Sequence, residues 1–416
     1  MRYLFILPSL FVCLPLFVLC WEEIPFTYSG PFLSNVTREE SLLKSTFEKI
    51  GTSGLSEEVK KGLQRLKDGD VSVLILRSIG KTSETPPTPV SAEVSWEYTG
   101  PPEVFSAISA ITNFLGQPLG YGIFGREDSF LRHVHPVKKS DYHMSDIQLF
   151  QHTDFTCFPM IPQYAVFVLL RADAGGRGQF YTTELDAALA RLEEKKPKTE
   201  VESLMREWAK EQWSLESCSK AKWREYTEGG EVVSVHNKSL VFDWDPPLSS
   251  PKERDTRRFI LPMKFQTVTQ GGPGRGKKEY DALREALWDV RRLHRLRPGD
   301  AVVVDNTRAA HGREPFGERS KKDGKDRWIF RVFANDDRGF YSSEEALHRY
   351  SHSTDFFLKD GSIVVDQQKM INTIRTEMGL PQRGGEPVDF VEEEAGVFSC
   401  GAACKERTDV KHHQEL

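Results

Sequence analysis

Apolar and polar positions along the chain follow two different periods. Residues 71–79, 147–150, 301–304 and 326–333 are short runs rich in β-branched and aromatic side chains, and turn formers such as Asp68-Gly69-Asp70 and Arg297-Pro298-Gly299-Asp300 precede two of them. Runs of that length and composition predict strands. Residues 41–66, 104–115, 185–195, 200–213, 279–296 and 343–350 instead predict helices. In 279–296, Leu283, Leu287 and Val290 fall on one stripe, while the intervening Arg and Glu residues make the other face polar. That is the pattern of a helix packed on a larger core. Gly51-Thr52-Ser53-Gly54 interrupts the first helical stretch, and the proline-rich 83–90 reads as a surface loop. Strands before and after the helices predict a mainly β fold with α: a double-stranded β-helix, or jelly roll, with helices packed outside it.

The two ends carry address-like patterns. After Met1-Arg2, residues 3–20 are almost uninterruptedly apolar but contain Pro8 and Pro15, and charge resumes at Glu22. This predicts a signal peptide over 1–20; with no second apolar stretch of spanning length, no stable membrane span is expected after its removal. The last residues, His413-Gln414-Glu415-Leu416, resemble an endoplasmic reticulum retrieval signal. Together the ends predict the secretory pathway and the lumen of the endoplasmic reticulum. Asn35-Val36-Thr37 and Asn237-Lys238-Ser239 are sequons, so a glycoprotein is expected. No linker, repeat or low-complexity tract divides 21–416, which reads as a single elaborated domain.

Composition narrows the partners. The 416 residues carry 56 basic and 61 acidic side chains, a net charge of −5, spread evenly. That excludes nucleic acid as the main partner; a small-molecule substrate is expected, and the composition is compatible with a homodimer. Of six cysteines, Cys13 and Cys20 fall in the leader. Cys157, Cys218, Cys400 and Cys404 are too few for a disulfide scaffold and lack metal-knuckle spacing. Gly271-Gly272-Pro273-Gly274-Arg275-Gly276-Lys277 mimics a phosphate-binding loop, but Lys278 cannot supply the hydroxyl that binds Mg²⁺, and Pro273 removes a backbone donor.

Two fragments carry the chemistry: Gln151-His152-Thr153-Asp154-Phe155-Thr156, and Val304-Asp305-Asn306-Thr307-Arg308-Ala309-Ala310-His311-Gly312-Arg313. On a strand, His152 and Asp154 project from the same face and can grip one ion side by side, and His311 could close the set. Two imidazoles and one carboxylate, with the remaining positions open, are the ligands of a non-haem Fe(II) oxygenase. The pair alone is weak, since 11 His and 61 acidic residues produce such triplets by chance, and His413-Gln414-Glu415 is another. Context strengthens it: each fragment ends an apolar run, and downstream Arg327 and Arg331 lie four apart on one strand face, a guanidinium pair suited to a dicarboxylate.

These residues resemble the taurine dioxygenase family of Fe(II)/2-oxoglutarate-dependent oxygenases, most closely its γ-butyrobetaine and trimethyllysine hydroxylase branch. The likeness covers about 152–183 and 296–337. It implies the jelly-roll fold, with Fe(II), 2-oxoglutarate and O₂ as the reactive set. By position, His152, Asp154 and His311 would be both the catalytic and the metal-binding residues, and Arg331 would hold the distal carboxylate of 2-oxoglutarate with Arg327 helping. Gln179 falls where the family has a threonine after a Gly-Gly pair and would take over its hydrogen bond. A basic insert, 313–325, stretches the spacing between His311 and the arginines. The activity implied is hydroxylation, desaturation or oxidative cyclisation of a small amino-acid-like or carboxylate-bearing metabolite, releasing succinate and CO₂. Arg308, Arg313 and Phe155 are the candidate substrate residues. The alternatives are a lumenal hydroxylase of protein side chains and an inactive jelly-roll binding protein.

Overall fold

Strand formation follows the apolar runs. The strands are β1 (Trp21–Pro25), β2 (Val73–Arg77), β3 (Gln117–Tyr121), β4 (Arg132–Val134), β5 (Leu149–His152), β6 (Tyr164–Arg171) and β7 (Phe180–Glu184). They continue with β8 (Trp213–Glu216), β9 (Ser234–Lys238), β10 (Val241–Asp243), β11 (Arg257–Phe259), β12 (Val268–Thr269) and β13 (Gly272–Pro273). The last six are β14 (Arg292–His294), β15 (Ala301–Asp305), β16 (Ala309–Arg313), β17 (Trp328–Asn335), β18 (Phe356–Lys359) and β19 (Ser362–Val365). Helices used below are α1 (Glu57–Lys67), α2 (Pro102–Leu115), α3 (Leu185–Lys195), α4 (Lys198–Ala209) and α5 (Lys277–Asp289). The computed structural model describes residues 21–365 except 34–35, 37–45, 47–48, 90–97, 122–129, 137–147, 155, 157–161, 210–212, 217–233, 239, 244–256, 262–267, 270–271, 274–275, 317–323, 336–355 and 360–361. The leader-like 1–20, Phe155, the helix expected over 343–350, the tail and all six cysteines lie outside the described residues, as do both sequons in whole or part. Among the described residues no helix is long and apolar enough to cross a membrane.

A large sheet runs β1-β2-β15-β6-β17-β3-β19-β18, with β4 beside β17, and a second sheet runs β14-β7-β16-β5. The first sheet's outer face presents Leu74, Val303, Val166 and Val332, which are successive cross-strand partners. They bury against α1 and α2 through Val59, Leu63, Leu66, Phe105, Ile108 and Ile111. Each such side chain contributes about 1.5–3 kcal/mol of burial. Ser56 caps α1, its hydroxyl accepting from the Val59 N–H, and Glu57 and Glu58 face the helix's positive end. On the other side, α3, α4 and α5 pack Leu189, Trp208, Leu283 and Leu287 into a second cluster that includes Ala310 of β16.

Two expectations are corrected. The helix expected over 200–213 stops at Ala209, and Trp213 opens β8, paired with Lys238 and Thr269. The one expected over 279–296 stops at Asp289, because Arg292-Leu293-His294 pairs with β7 and extends the second sheet. Ladder bonds there replace helical ones. Within the glycine-rich 271–277, Gly272–Pro273 pairs with β12, and Gly276 adopts a left-handed φ of 80° just before α5, a conformation glycine takes without strain.

Candidate metal centre

Pairing register sets up the site. Across the second sheet, cross-strand partners run Arg292, Thr182, His311, His152, and such partners share a face. Across the first sheet the corresponding row is Ile75, Val302, Phe167, Arg331. The rows face each other: the Phe167 ring lies 4.7 Å from His311 and 5.0 Å from Phe180, whose ring stacks on His311. Asp154 follows just past the end of β5. Gly312 lets the strands approach, since a Cβ there would fall 2.3 Å from the Tyr181 ring and 2.7 Å from the Leu149 carbonyl.

One donor atom each from His152, Asp154 and His311 lies within 4.8 Å of the others, and all three residues are buried. His311 Nε2 is 3.4 Å from Asp154 Oδ2, and His152 Nε2 is 3.8 Å from Oδ1. His152 Nδ1 sits 2.8 Å from the Phe150 carbonyl, which can only accept, so Nδ1 carries the proton and Nε2 keeps the lone pair. Burial lowers the His152 pKa despite the pull of Asp154, holding the imidazole neutral. Two imidazoles and a carboxylate, without thiolate, fit Fe(II) by donor chemistry. The structure therefore brings together all three residues singled out in the sequence as ligands.

The arginines divide. Arg331 Nη1 donates to Asp154 Oδ1 at 2.9 Å, leaving Oδ2 on the His311 side. Arg327 is buried with Arg313 as its electrostatic neighbour, and burial, then Arg313, pushes its pKa down to about 9. Arg313 in turn lies over the Phe316 ring at 4.4 Å. Arg308 is committed elsewhere, to the Gly69 carbonyl and to Asp186 at 3.0 Å. Gln179 donates to the Gly176 carbonyl in its own loop at 3.2 Å and does not join the trio. Phe155 lies outside the described residues.

Several polar groups near this face escaped sequence reasoning. Thr182, paired with His311, shares a 2.7 Å hydrogen bond with His294, whose pKa burial lowers to about 4. Glu184, two residues on, is buried with its carboxyl pushed up to about 7 by desolvation, which Arg292 only partly opposes. No spacing signal marks either residue, because their burial arises from sheet pairing between segments over a hundred residues apart.

Comparison with known proteins points to a family. The family model described as taurine catabolism dioxygenase TauD, TfdA family matches residues 102–333. Enduracididine beta-hydroxylase of Streptomyces hygroscopicus is 26% identical over 252 residues, covering 58% of this chain and 69% of that one. Clavaminate synthase 2 of Streptomyces clavuligerus is 28% identical over 271 residues (64% and 74%), and L-lysine 3-hydroxylase of Catenulispora acidiphila 24% over 291 (68% and 73%). Among solved structures, the non-heme iron oxygenase OrfP in complex with Fe and alpha-ketoglutaric acid superposes with a TM-score of 0.51 at 19% identity, over 71% of this chain and 85% of that chain. With a family match spanning more than half of the sequence and enclosing the His-x-Asp pair, the distal histidine and both arginines, the chain belongs to the TauD/TfdA family and is an Fe(II)/2-oxoglutarate-dependent dioxygenase.

Proposed function

We propose that the enzyme oxidises an aliphatic C–H bond of a free amino acid or a close, carboxylate-bearing relative, with hydroxylation as the default outcome and desaturation or cyclisation as variants. The two facing sheets are read as the jelly roll of the family. His152, Asp154 and His311 would hold the iron. When iron and 2-oxoglutarate are bound, they supply the oxidative decarboxylation that yields succinate and CO₂ and delivers one oxygen atom to the substrate.

The carrying observation is the different placement of two cationic groups, one in contact with the trio and one farther along the His311 strand. Arg331 contacts a metal-binding carboxylate directly. Arg313 lies two residues beyond His311 on the same face, about 7 Å along the strand, and Arg327 is its buried neighbour. A 2-oxoglutarate gripped at the metal by its keto-acid end extends its distal carboxylate away from the ligands. We therefore assign that carboxylate to Arg327 with Arg313, the reverse of the order expected from sequence. Arg331, held beside the metal-binding carboxylate, is the cation assigned to the substrate's carboxylate. Phe167 and Phe180 wall the His311 side and exclude water. The names of the matched relatives, a hydroxylase of enduracididine and one of L-lysine, support an amino-acid substrate.

The test is succinate release against a panel of free amino acids, their amides lacking the α-carboxylate, and peptides. Turnover restricted to compounds with a free carboxylate is the expected result. Efficient turnover of peptides or of the amides would reject the assignment.

A further inference from the structure

Asn306 stands in the turn between β15 and β16 with none of its surface exposed, and its side-chain amide is engaged at both ends. Its Oδ1 accepts from the backbone N–H of Asp154 at 2.7 Å. Its Nδ2 donates to the backbone carbonyls of Asp154 at 3.1 Å and Pro162 at 2.9 Å. The Asn306 main-chain N–H donates to the Gln163 carbonyl at 2.7 Å. An asparagine in a turn ordinarily bonds its own neighbouring backbone. Here Asp305 takes that part, its Oδ1 accepting from the Thr307 N–H at 3.0 Å and the Thr307 hydroxyl at 2.7 Å. The Asn306 amide is thereby released for a partner 152 residues away.

The segment it grips is held from a second side as well. Thr153 exchanges two bonds with Leu261: its N–H donates to the Leu261 carbonyl and its hydroxyl accepts from the Leu261 N–H, both at 2.9 Å. Arg331 holds the Asp154 side chain. Of these three, the Asn306 bond is the one that joins the segment bearing His152 and Asp154 to the turn that launches the His311 strand.

We propose that Asn306 is a positioning residue for the metal centre: by clamping the main chain of Asp154 it sets the spacing between Asp154 and His311, and with it the affinity for metal. The proposal rests on the ligand assignment above. Asparagine suits the place because it accepts from one backbone N–H and donates to two carbonyls simultaneously. An aspartate would turn a second acceptor toward those carbonyls, and a serine is too short to reach both sides.

The test is anaerobic titration with Fe(II), and with Co(II) as a stable probe, of the full chain and of Asp154→Ala, Asn306→Asp, Asn306→Ser and Thr307→Val. The thermal midpoint of each metal-free protein is measured in parallel. Loss of a partner that orients a ligand typically weakens metal binding about 10–100-fold, and that loss is expected for both Asn306 variants. Thr307→Val, in the same turn, loses only the hydroxyl bond to Asp305 Oδ1 and keeps the Thr307 N–H bond to it, so it should lower the thermal midpoint while leaving metal affinity unchanged. Metal affinity falling equally in Thr307→Val, or unchanged in the Asn306 variants while Asp154→Ala loses it, would overturn the proposal alone. Wild-type binding by Asp154→Ala would overturn the ligand assignment together with it. Should the Asn306 variants fail to fold, hydrogen exchange on the wild-type metal-free protein decides: a protected Asp154 amide is expected, and rapid exchange there contradicts the clamp.

Discussion

Replacing Arg327 with methionine should make the metal-free protein more stable and the enzyme worse at using 2-oxoglutarate. Burial and the neighbouring Arg313 pull the Arg327 pKa from 12.5 to about 9, so its cationic form is disfavoured in the fold by on the order of 5 kcal/mol. The sign is that of a base with a depressed pKa. The penalty is absent above the unfolded value, grows as pH falls toward about 9, and is fully present at neutral pH. Methionine removes it while keeping most of the apolar stem; substitutions of buried charges by apolar groups gain about 1–4 kcal/mol. Such a gain moves the thermal midpoint upward by about 2–4 °C per kcal/mol in a domain of moderate size, somewhat less here. The lost charged hydrogen bonds to the distal carboxylate are worth about 1.5–3 kcal/mol, so the 2-oxoglutarate requirement should rise about 10–150-fold. Thermal unfolding with and without 2-oxoglutarate, and succinate formation against 2-oxoglutarate concentration, read both effects. A variant that unfolds earlier and still saturates with 2-oxoglutarate as the wild type does would refute the reasoning. If Arg331→Lys instead carries the loss of 2-oxoglutarate affinity, the order inferred from sequence is restored.

His152→Ala, Asp154→Ala and His311→Ala should each abolish Fe(II)-dependent succinate formation with the fold retained by circular dichroism, and full activity in any one removes that residue from the ligand set. Glu184 carries a raised pKa of about 7, so its contribution to stability is full below its unfolded value near 4.5 and is lost as pH rises through about 7. Glu184→Gln should therefore gain up to about 3 kcal/mol at pH 8 and little at pH 5 in denaturant titrations; an equal gain at both pH values would show that another group governs the profile. Neither γ-butyrobetaine nor trimethyllysine should be turned over with kcat/KM near the usual enzyme range of about 10⁴ M⁻¹s⁻¹ or above, which competition against free amino acids would reveal.

Much of the site was legible because its chemistry lies in short contiguous motifs. His152 and Asp154 share a strand-end segment, His311 follows a β-branched strand and a turn, and Arg327 immediately precedes the strand that carries Arg331, so short local patterns and the family resemblance aligned each with its neighbours. Helices α2 and α3 were equally clear: α3 buries one apolar stripe, Leu185, Ala188, Leu189 and Leu192, and α2 is apolar enough to be buried on nearly every side. What failed was decided by pairing at a distance. The chain after Asp289 leaves its helix because β7 offers a ladder to Arg292–His294, and Trp213 becomes a strand because Lys238 and Thr269 are there to pair with it. By position the sequence assigned the distal carboxylate to Arg331 with Arg327 helping; the Arg331–Asp154 contact, set by the register of β17 against β6, motivates the opposite assignment proposed above. Asn306 was visible in the motif, yet its role as a clamp depends on a partner 152 residues away.

The most direct test of iron and 2-oxoglutarate at this centre is an anaerobic visible absorption titration of the Fe(II)-loaded chain with 2-oxoglutarate. Chelation of an α-keto acid to Fe(II) produces a charge-transfer band. The wild type should develop that band to a limit of one 2-oxoglutarate per iron, and His311→Ala should not develop it. A wild-type chain without the band, or a His311→Ala protein with the full band, would contradict an iron centre built from His152, Asp154 and His311.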